Sequence, residues 1–187
     1  MNRLVAEGGH DLIMSIGQVV PHEVLGMANY NKNIFIGTGG AESINASHYL
    51  SSILGIENIL GRSDNPLRQI LNEAQRLFCQ ILPLLFVLTV IGIEASGETV
   101  VRGLFIGDDN ECFEQACALA TEVNITKVDQ PVEKMVAFLD SDEFHSTWIG
   151  NKAIYRTRMA IADGGELVVL APGIKAVGEA PEIDRLI

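Results

Sequence analysis

The apolar positions of this chain fall into two alternating periods. Asp11 to Val20 (DLIMSIGQVV) reads as a strand that stops at Pro21, which has no N–H to give to a ladder. Asn33 to Ile36 is a second short apolar run, expected as a strand and closed by Gly37-Thr38-Gly39-Gly40. Ala41 to Gly55 follows as a helix, with Ile44, Tyr49 and Leu50 as its apolar positions. Leu67, Ile70, Leu71, Ala74, Leu77 and Phe78 recur at steps of three and four, which predicts an amphipathic helix. Asp64 or Asn65 caps it and Pro66 fits its first turn. Leu82–Glu94 and Glu98–Gly107 form a hairpin across Ala95-Ser96-Gly97. Asp108 or Asp109 then caps a helix that buries Phe113, Ala116, Cys117, Ala120 and Val123.

After a break at Val128–Pro131 the pattern restarts. Val132–Leu139 reads as a strand, Thr147–Ala162 as a helix stopped by Gly164-Gly165, and Glu166–Ala171 as another strand. That order predicts a parallel βαβ unit. The expectation is an α/β fold of mixed sheets with flanking helices, comprising parts of two αβ domains, residues 1–128 and 129–187.

Composition narrows the class. The chain has 187 residues, 48% hydrophobic and 20% charged, as an ordered globular protein does. A net charge of −11, from 24 acidic against 13 basic residues, argues against nucleic acid as a partner. The cysteines, Cys79, Cys112 and Cys117, are odd in number and lack a CxxC pair, so they read as reduced thiols. The N-terminus lacks the basic-then-apolar layout of a signal peptide, and the apolar run Ile81–Ile93 is too short to span a bilayer and holds Pro83. A cytoplasmic location with no membrane contact is the expectation. The chain opens on the helix-like NRLVAE and ends in the helix-like Glu182–Ile187 with no capping residue after it, so it reads as an internal portion of a longer polypeptide.

Candidate chemistry is concentrated between residues 19 and 50. His22 follows Pro21, Lys32 stands ten residues on (32 − 22), and His48 sixteen further (48 − 32). Histidine is suited to moving a proton near neutral pH, and an imidazole nitrogen suits a transition metal. A lysine amine attacks a carboxyl-derived group once it is neutral. The glycine-rich loop can bring amides close to an anion, yet it matches neither a P-loop nor a dinucleotide fingerprint. No HExxH motif or cysteine cluster competes, and His10 and His145 are isolated.

The run VVPHEVLGMANYNKNIFIGTGGAESINASHYL resembles the nickel-pincer-nucleotide lactate racemase family of 2-hydroxyacid racemases and epimerases. The resemblance implies that His22 is an acid/base histidine, that Lys32 is covalently tethered to the cofactor, and that His48 ligates the nickel. That cofactor is the nickel-pincer nucleotide, pyridinium-3,5-bisthiocarboxylic acid mononucleotide nickel. The chemistry implied is removal of the 2-hydroxyl proton with reversible hydride transfer to the cofactor, which inverts the stereocentre. A second match, Trp148-Ile149-Gly150-Asn151-Lys152, implies that Lys152 contacts the substrate carboxylate and that Trp148 lines the pocket. Arg156 and Arg158 follow as candidate contacts for a sugar acid.

The resemblance departs in places. Well-known members carry a Gly-Gly-Arg-Lys type run where this chain has Tyr30-Asn31-Lys32, and a polar residue at Ile149. Members also carry an upstream segment with a second acid/base histidine and a substrate-binding arginine. Residues 1–128 would then be the C-terminal part of the cofactor-binding catalytic domain and 129–187 the start of a second αβ domain. The partner implied is a small 2-hydroxy acid. Two other classes stay open: a non-catalytic cofactor-binding remnant and a structural αβ interaction domain.

Overall fold

The computed structural model describes residues 1–178 together with Glu182 and Arg185. The helix expected over Glu182–Ile187 lies largely outside them. The chain divides into two compact units, Met1–Thr126 and Lys127–Ile187. Together they form a mixed α/β chain of sheets with flanking helices.

The first unit is built on a three-stranded sheet. Strand β1 (Ile13–Gln18) pairs in parallel with β4 (Leu84–Ile93), which pairs antiparallel with β5 (Thr99–Gly107). The central strand alternates strictly: Leu84, Phe86, Leu88 and Val90 are buried, with half-buried residues between them. That period of two sends one face into a core covered by α4 (Asn110–Asn124). Helix α4 begins where Asp109 accepts a hydrogen bond from the Cys112 N–H at 3.2 Å, and it buries Cys112, Phe113, Ala116, Cys117 and Ala120. All three cysteines are buried free thiols whose pKa is raised, chiefly by burial. The other sheet face presents Met14, Ile16, Leu104 and Ile106 among the exposed residues, Ile16 at 64%.

The segment between β1 and α4 differs most from expectation. Pro21–His22 is a short strand, β2, paired antiparallel with β3 (Gly26–Met27). Gly26 has φ +78 and a Cβ there would run into the Arg62 carbonyl, so only glycine closes this hairpin. Asn33–Ile36, expected as a strand, lies in a π-helical turn, Asn33–Gly37. The cause lies upstream. Asn29 and Tyr30 hold φ of 70 and 60, which reverses the chain and leaves no neighbour to extend a ladder.

Helix α2 (Ala41–Leu54) follows as expected. Helix α3 (Pro66–Phe78) starts on Asn65, whose side chain accepts from the Arg68 N–H. Its predicted apolar stripe is only partly buried: Leu67 and Leu71 enter the core, whereas Ile70, Leu77 and Phe78 are exposed. The residue the stripe left out, Arg68, is buried instead.

In the second unit β6 (Val132–Phe138) and β7 (Ile161–Leu170) pair in parallel, with Leu139, Phe144 and Ala153 as core. The long helix expected over Thr147–Ala162 is two short ones, α5 (Thr147–Gly150) and α6 (Lys152–Thr157). Gly164-Gly165 lies inside β7 rather than stopping a helix, beyond a register shift between Val132 and Lys134. Among the described residues no helix is long and apolar enough to cross a membrane.

Phe86 fixes the core of the first unit. Phe86→Ala is expected to cost about 3–5 kcal/mol in urea unfolding followed by circular dichroism. Ile93→Ala, on the same strand at 75% exposure, should stay within about 0.5 kcal/mol. Equal costs would mean that the two ends of β4 are packed alike.

Candidate functional site

Lys32 reaches the site on a segment pinned to the core. The Tyr30 ring is 2% exposed; it stacks on Phe113 at 4.9 Å between centroids and 13° between planes, and tilts against Phe86 at 4.4 Å. Met27 and Ile34 are buried beside it. Asn29, Tyr30 and Asn31, polar though the run is, are all buried. The Asn29 side chain offsets the unusual backbone, since its Oδ1 accepts from the Tyr30 N–H and from Asn33 Nδ2, each at 2.7 Å. Lys32 follows at the start of the π-helical turn. Burial holds its amine below the ordinary lysine pKa, the Arg68 charge adds to that, and Glu23 opposes it.

His22 stands on the β2–β3 hairpin, half-buried. Its Nδ1 accepts from the Val24 N–H at 3.1 Å and the Leu25 N–H at 3.4 Å, so the neutral ring carries its hydrogen on Nε2. Its pKa falls to about 4, first through burial and then through the Lys32 charge, with Arg68 and His48 adding to the fall and Glu23 opposing it. Lys32 and His48 therefore both lie close enough to His22 for their charges to act on it.

His48 is on the exposed face of α2. Its Nδ1 donates to the Ile44 carbonyl at 2.7 Å, one turn back, which leaves the lone pair of the neutral ring on Nε2 and open to solvent. A second hydrogen bond that fixes the ring and frees the opposite nitrogen is the arrangement a metal-ligating histidine uses. Among the described residues no group of three or more His, Cys, Asp or Glu side chains could hold a bare metal ion. The donor chemistry fits a metal that brings its own donors: one open imidazole nitrogen and one amine whose pKa is lowered.

The glycine-rich loop is less free than its sequence implies. The Thr38 and Gly39 amides are taken by the Asn33 and Ile36 carbonyls, which close the π-helical turn. Gly39 is still required, because a Cβ would meet the Phe35 carbonyl and Ser43 Oγ. What is left for an anion is the start of α2 at Gly40, which has no side-chain cap and has Glu42 in its first turn.

Lys152 and Trp148 belong to the second unit. Trp148 lies on α5, whose cap Ser146 accepts from the Ile149 N–H, and is 52% exposed. Lys152 is half-buried at the first position of α6, and Arg156 and Arg158 are exposed further along the chain.

Sequence reading missed Arg68, Asn31 and Asn72. Arg68 Nη1 donates to Asn31 Oδ1 at 2.6 Å, and Asn31 Nδ2 donates to Asn72 Oδ1 at 2.7 Å. Arg68 sits in the polar part of its helical pattern, so periodicity alone had no means of finding it.

Two solved structures are similar to the chain. A Thermotoga maritima protein from a structural genomics consortium matches 98% of this chain and 45% of its own at 27% identity, with a TM-score of 0.81. The lactate racemase apoprotein from Thermoanaerobacterium thermosaccharolyticum matches 92% of this chain and 39% of its own at 21% identity, with a TM-score of 0.73. The fold is therefore lactate racemase-like, and the chain spans less than half the length of either structure. No protein-family model and no curated protein sequence matches it.

The depressed His22 pKa has a consequence for stability. The unfolded chain takes up this proton near pH 6.5 and the folded chain near 4, so the unfolded state binds more protons between those values. The contribution is fully present above pH 6.5 and is lost as pH falls toward 4, up to about 3 kcal/mol. His22→Gln, which keeps an acceptor for the hairpin amides, should flatten the pH dependence of urea unfolding across that window. A variant that loses stability on acidification as steeply as the parent would show that His22 does not titrate in this way.

Proposed function

We propose that the polypeptide carrying this segment is a 2-hydroxyacid racemase or epimerase that uses a lysine-tethered nickel-pincer nucleotide. The observation that carries the reading is that the Lys32 and His48 charges both act on His22, with the three residues at the sequence offsets at which the resemblance calls for them. The lactate racemase-like fold supports it.

The residues divide the work. The Lys32 amine, held toward its neutral form by burial, would hold the cofactor through the covalent tether. His48 Nε2 is the protein ligand to nickel. When bound, the cofactor supplies the hydride acceptor and donor for the substrate α-carbon. His22 manages the proton of the 2-hydroxyl oxygen, so that loss of proton and hydride leaves a 2-keto acid that is reduced on either face. As hydrogen-bonded here, His22 Nε2 bears hydrogen and donates. Accepting the hydroxyl proton requires Nε2 to be bare, hence Nδ1 protonated and released from the Val24 and Leu25 amides. Being neutral above about pH 4, the ring needs only to change tautomer, not to lose a charge. The roles of Lys152 at the substrate carboxylate and of Trp148 in the pocket lining rest on the sequence resemblance alone.

The roles of the two histidines separate experimentally. In protein made alongside the pincer biosynthetic enzymes, the Tyr30–Ile36 peptide should gain the mass of one cofactor. His48→Ala should lose nickel and activity together. His22→Ala should keep nickel and adduct while turnover falls by roughly a hundredfold. Nickel lost from His22→Ala and kept in His48→Ala would mean the roles are reversed. An unmodified Lys32 in active, nickel-loaded protein would end the tether reading.

A further inference from the structure

Arg68 is the largest fully buried side chain of the described residues, 1% exposed. An isolated buried charge costs several kcal/mol, at the order-of-magnitude level, unless its surroundings answer it. Among the described residues no carboxylate pairs with it. The guanidinium instead donates to Met27 O at 2.5 Å, to Asn31 Oδ1 at 2.6 Å and, at the edge of bonding distance, to Asn29 O at 3.5 Å. Its carbon lies 4.4 Å from the centroid of the Phe113 ring on which Tyr30 stacks. Nε is buried without a partner.

Every one of those acceptors belongs to the segment that leads into Lys32. Among the described residues, that segment is also where the non-glycine residues with positive φ lie, Asn29 and Tyr30. Such conformations are strained and persist only where the surroundings over-determine them. The planar fork of an arginine, reaching Met27, Asn29 and Asn31 at once, supplies that over-determination in a way a lysine cannot. Asn72 on α3 holds the other end of Asn31.

From this geometry we infer that Arg68 is a positioning residue for Lys32: it clamps residues 27–31 in their reversed path and thereby sets where the lysine amine emerges. The inference rests on the reading of Lys32 as the cofactor tether, and it concerns how the chain prepares that amine. Its charge acts in the same direction, adding to burial in holding Lys32 toward the neutral form, with Glu23 opposing and His22 as the neighbouring titratable group.

The test needs no cofactor. Lys32 in the purified chain is labelled with acetic anhydride across a pH series, with Lys127 as internal reference, and amide hydrogen exchange is followed over residues 27–33. Arg68→Met removes fork and charge. It should raise the labelling midpoint of Lys32, lower its labelling at pH 8 by about threefold or more, and raise exchange in residues 27–33 selectively. Arg68→Lys keeps the charge without the fork. It should leave the labelling midpoint near that of the parent while exchange over 27–33 still rises. If neither variant folds, Asn31→Leu, which removes one acceptor, should give the selective rise in exchange.

Folded variants with unchanged exchange and labelling would overturn the proposal. A rise in exchange spread equally over β4 and α4 would do so too, since that marks a purely structural arginine. Because these readouts are taken without cofactor, failure to find an adduct on Lys32 would count against the proposed function alone.

Discussion

The path of the chain from Met27 to Ile34 is the constraint on which the site depends. This stretch is polar in composition and would ordinarily stay in solvent. It is drawn onto the sheet because Tyr30 places a large ring between Phe86 and Phe113, burial that few other side chains match. The backbone polar groups that go down with it must then be satisfied. Arg68, which donates to the Met27 and Asn29 carbonyls, and the Asn29 side chain, which accepts from the Tyr30 N–H, do this. The aromatic seat and the polar clamp are thus two halves of one solution, each untenable without the other.

Burying a cation without a paired carboxylate has electrostatic consequences nearby. Burial pulls the arginine itself down to about 10, and its field reaches Lys32 and His22. Both are pushed toward their uncharged forms, chiefly by their own desolvation. An amine held toward its neutral form and a neutral imidazole are suited to nucleophilic attachment and proton transfer.

The two histidines of the site are distinguished by which way their Nδ1 hydrogen bond runs. In His48 the ring donates to a helix carbonyl, so Nε2 is left with its lone pair. In His22 the ring accepts from hairpin amides, so Nε2 is left with hydrogen. The first is the state of a ligand, the second that of a hydrogen-bond donor to an oxygen. Local backbone, a helix turn in one case and a β-hairpin in the other, sets this difference.

Elements whose signals are local were legible from residue order. Strand β4 shows as an unbroken apolar run, α4 as a capped stripe from Asp109 to Ala120, and α3 as Asn65-Pro66 followed by its periodic residues. The offsets linking His22, Lys32 and His48 were equally plain, because spacing survives whatever path the chain takes between them. Long-range packing decided the rest. Asn33–Ile36 has the composition of a strand, yet the reversal at Asn29 and Tyr30, held by rings and an arginine far along the chain, turns it into a helical turn. The 147–162 helix breaks in two at Asn151, and its last two positions, Ile161 and Ala162, pair into β7 instead. Arg68 is invisible to periodicity, since its burial depends on three acceptors some forty residues upstream. Which nitrogen of each histidine stays free likewise depends on the carbonyl or amides that the fold places beside Nδ1.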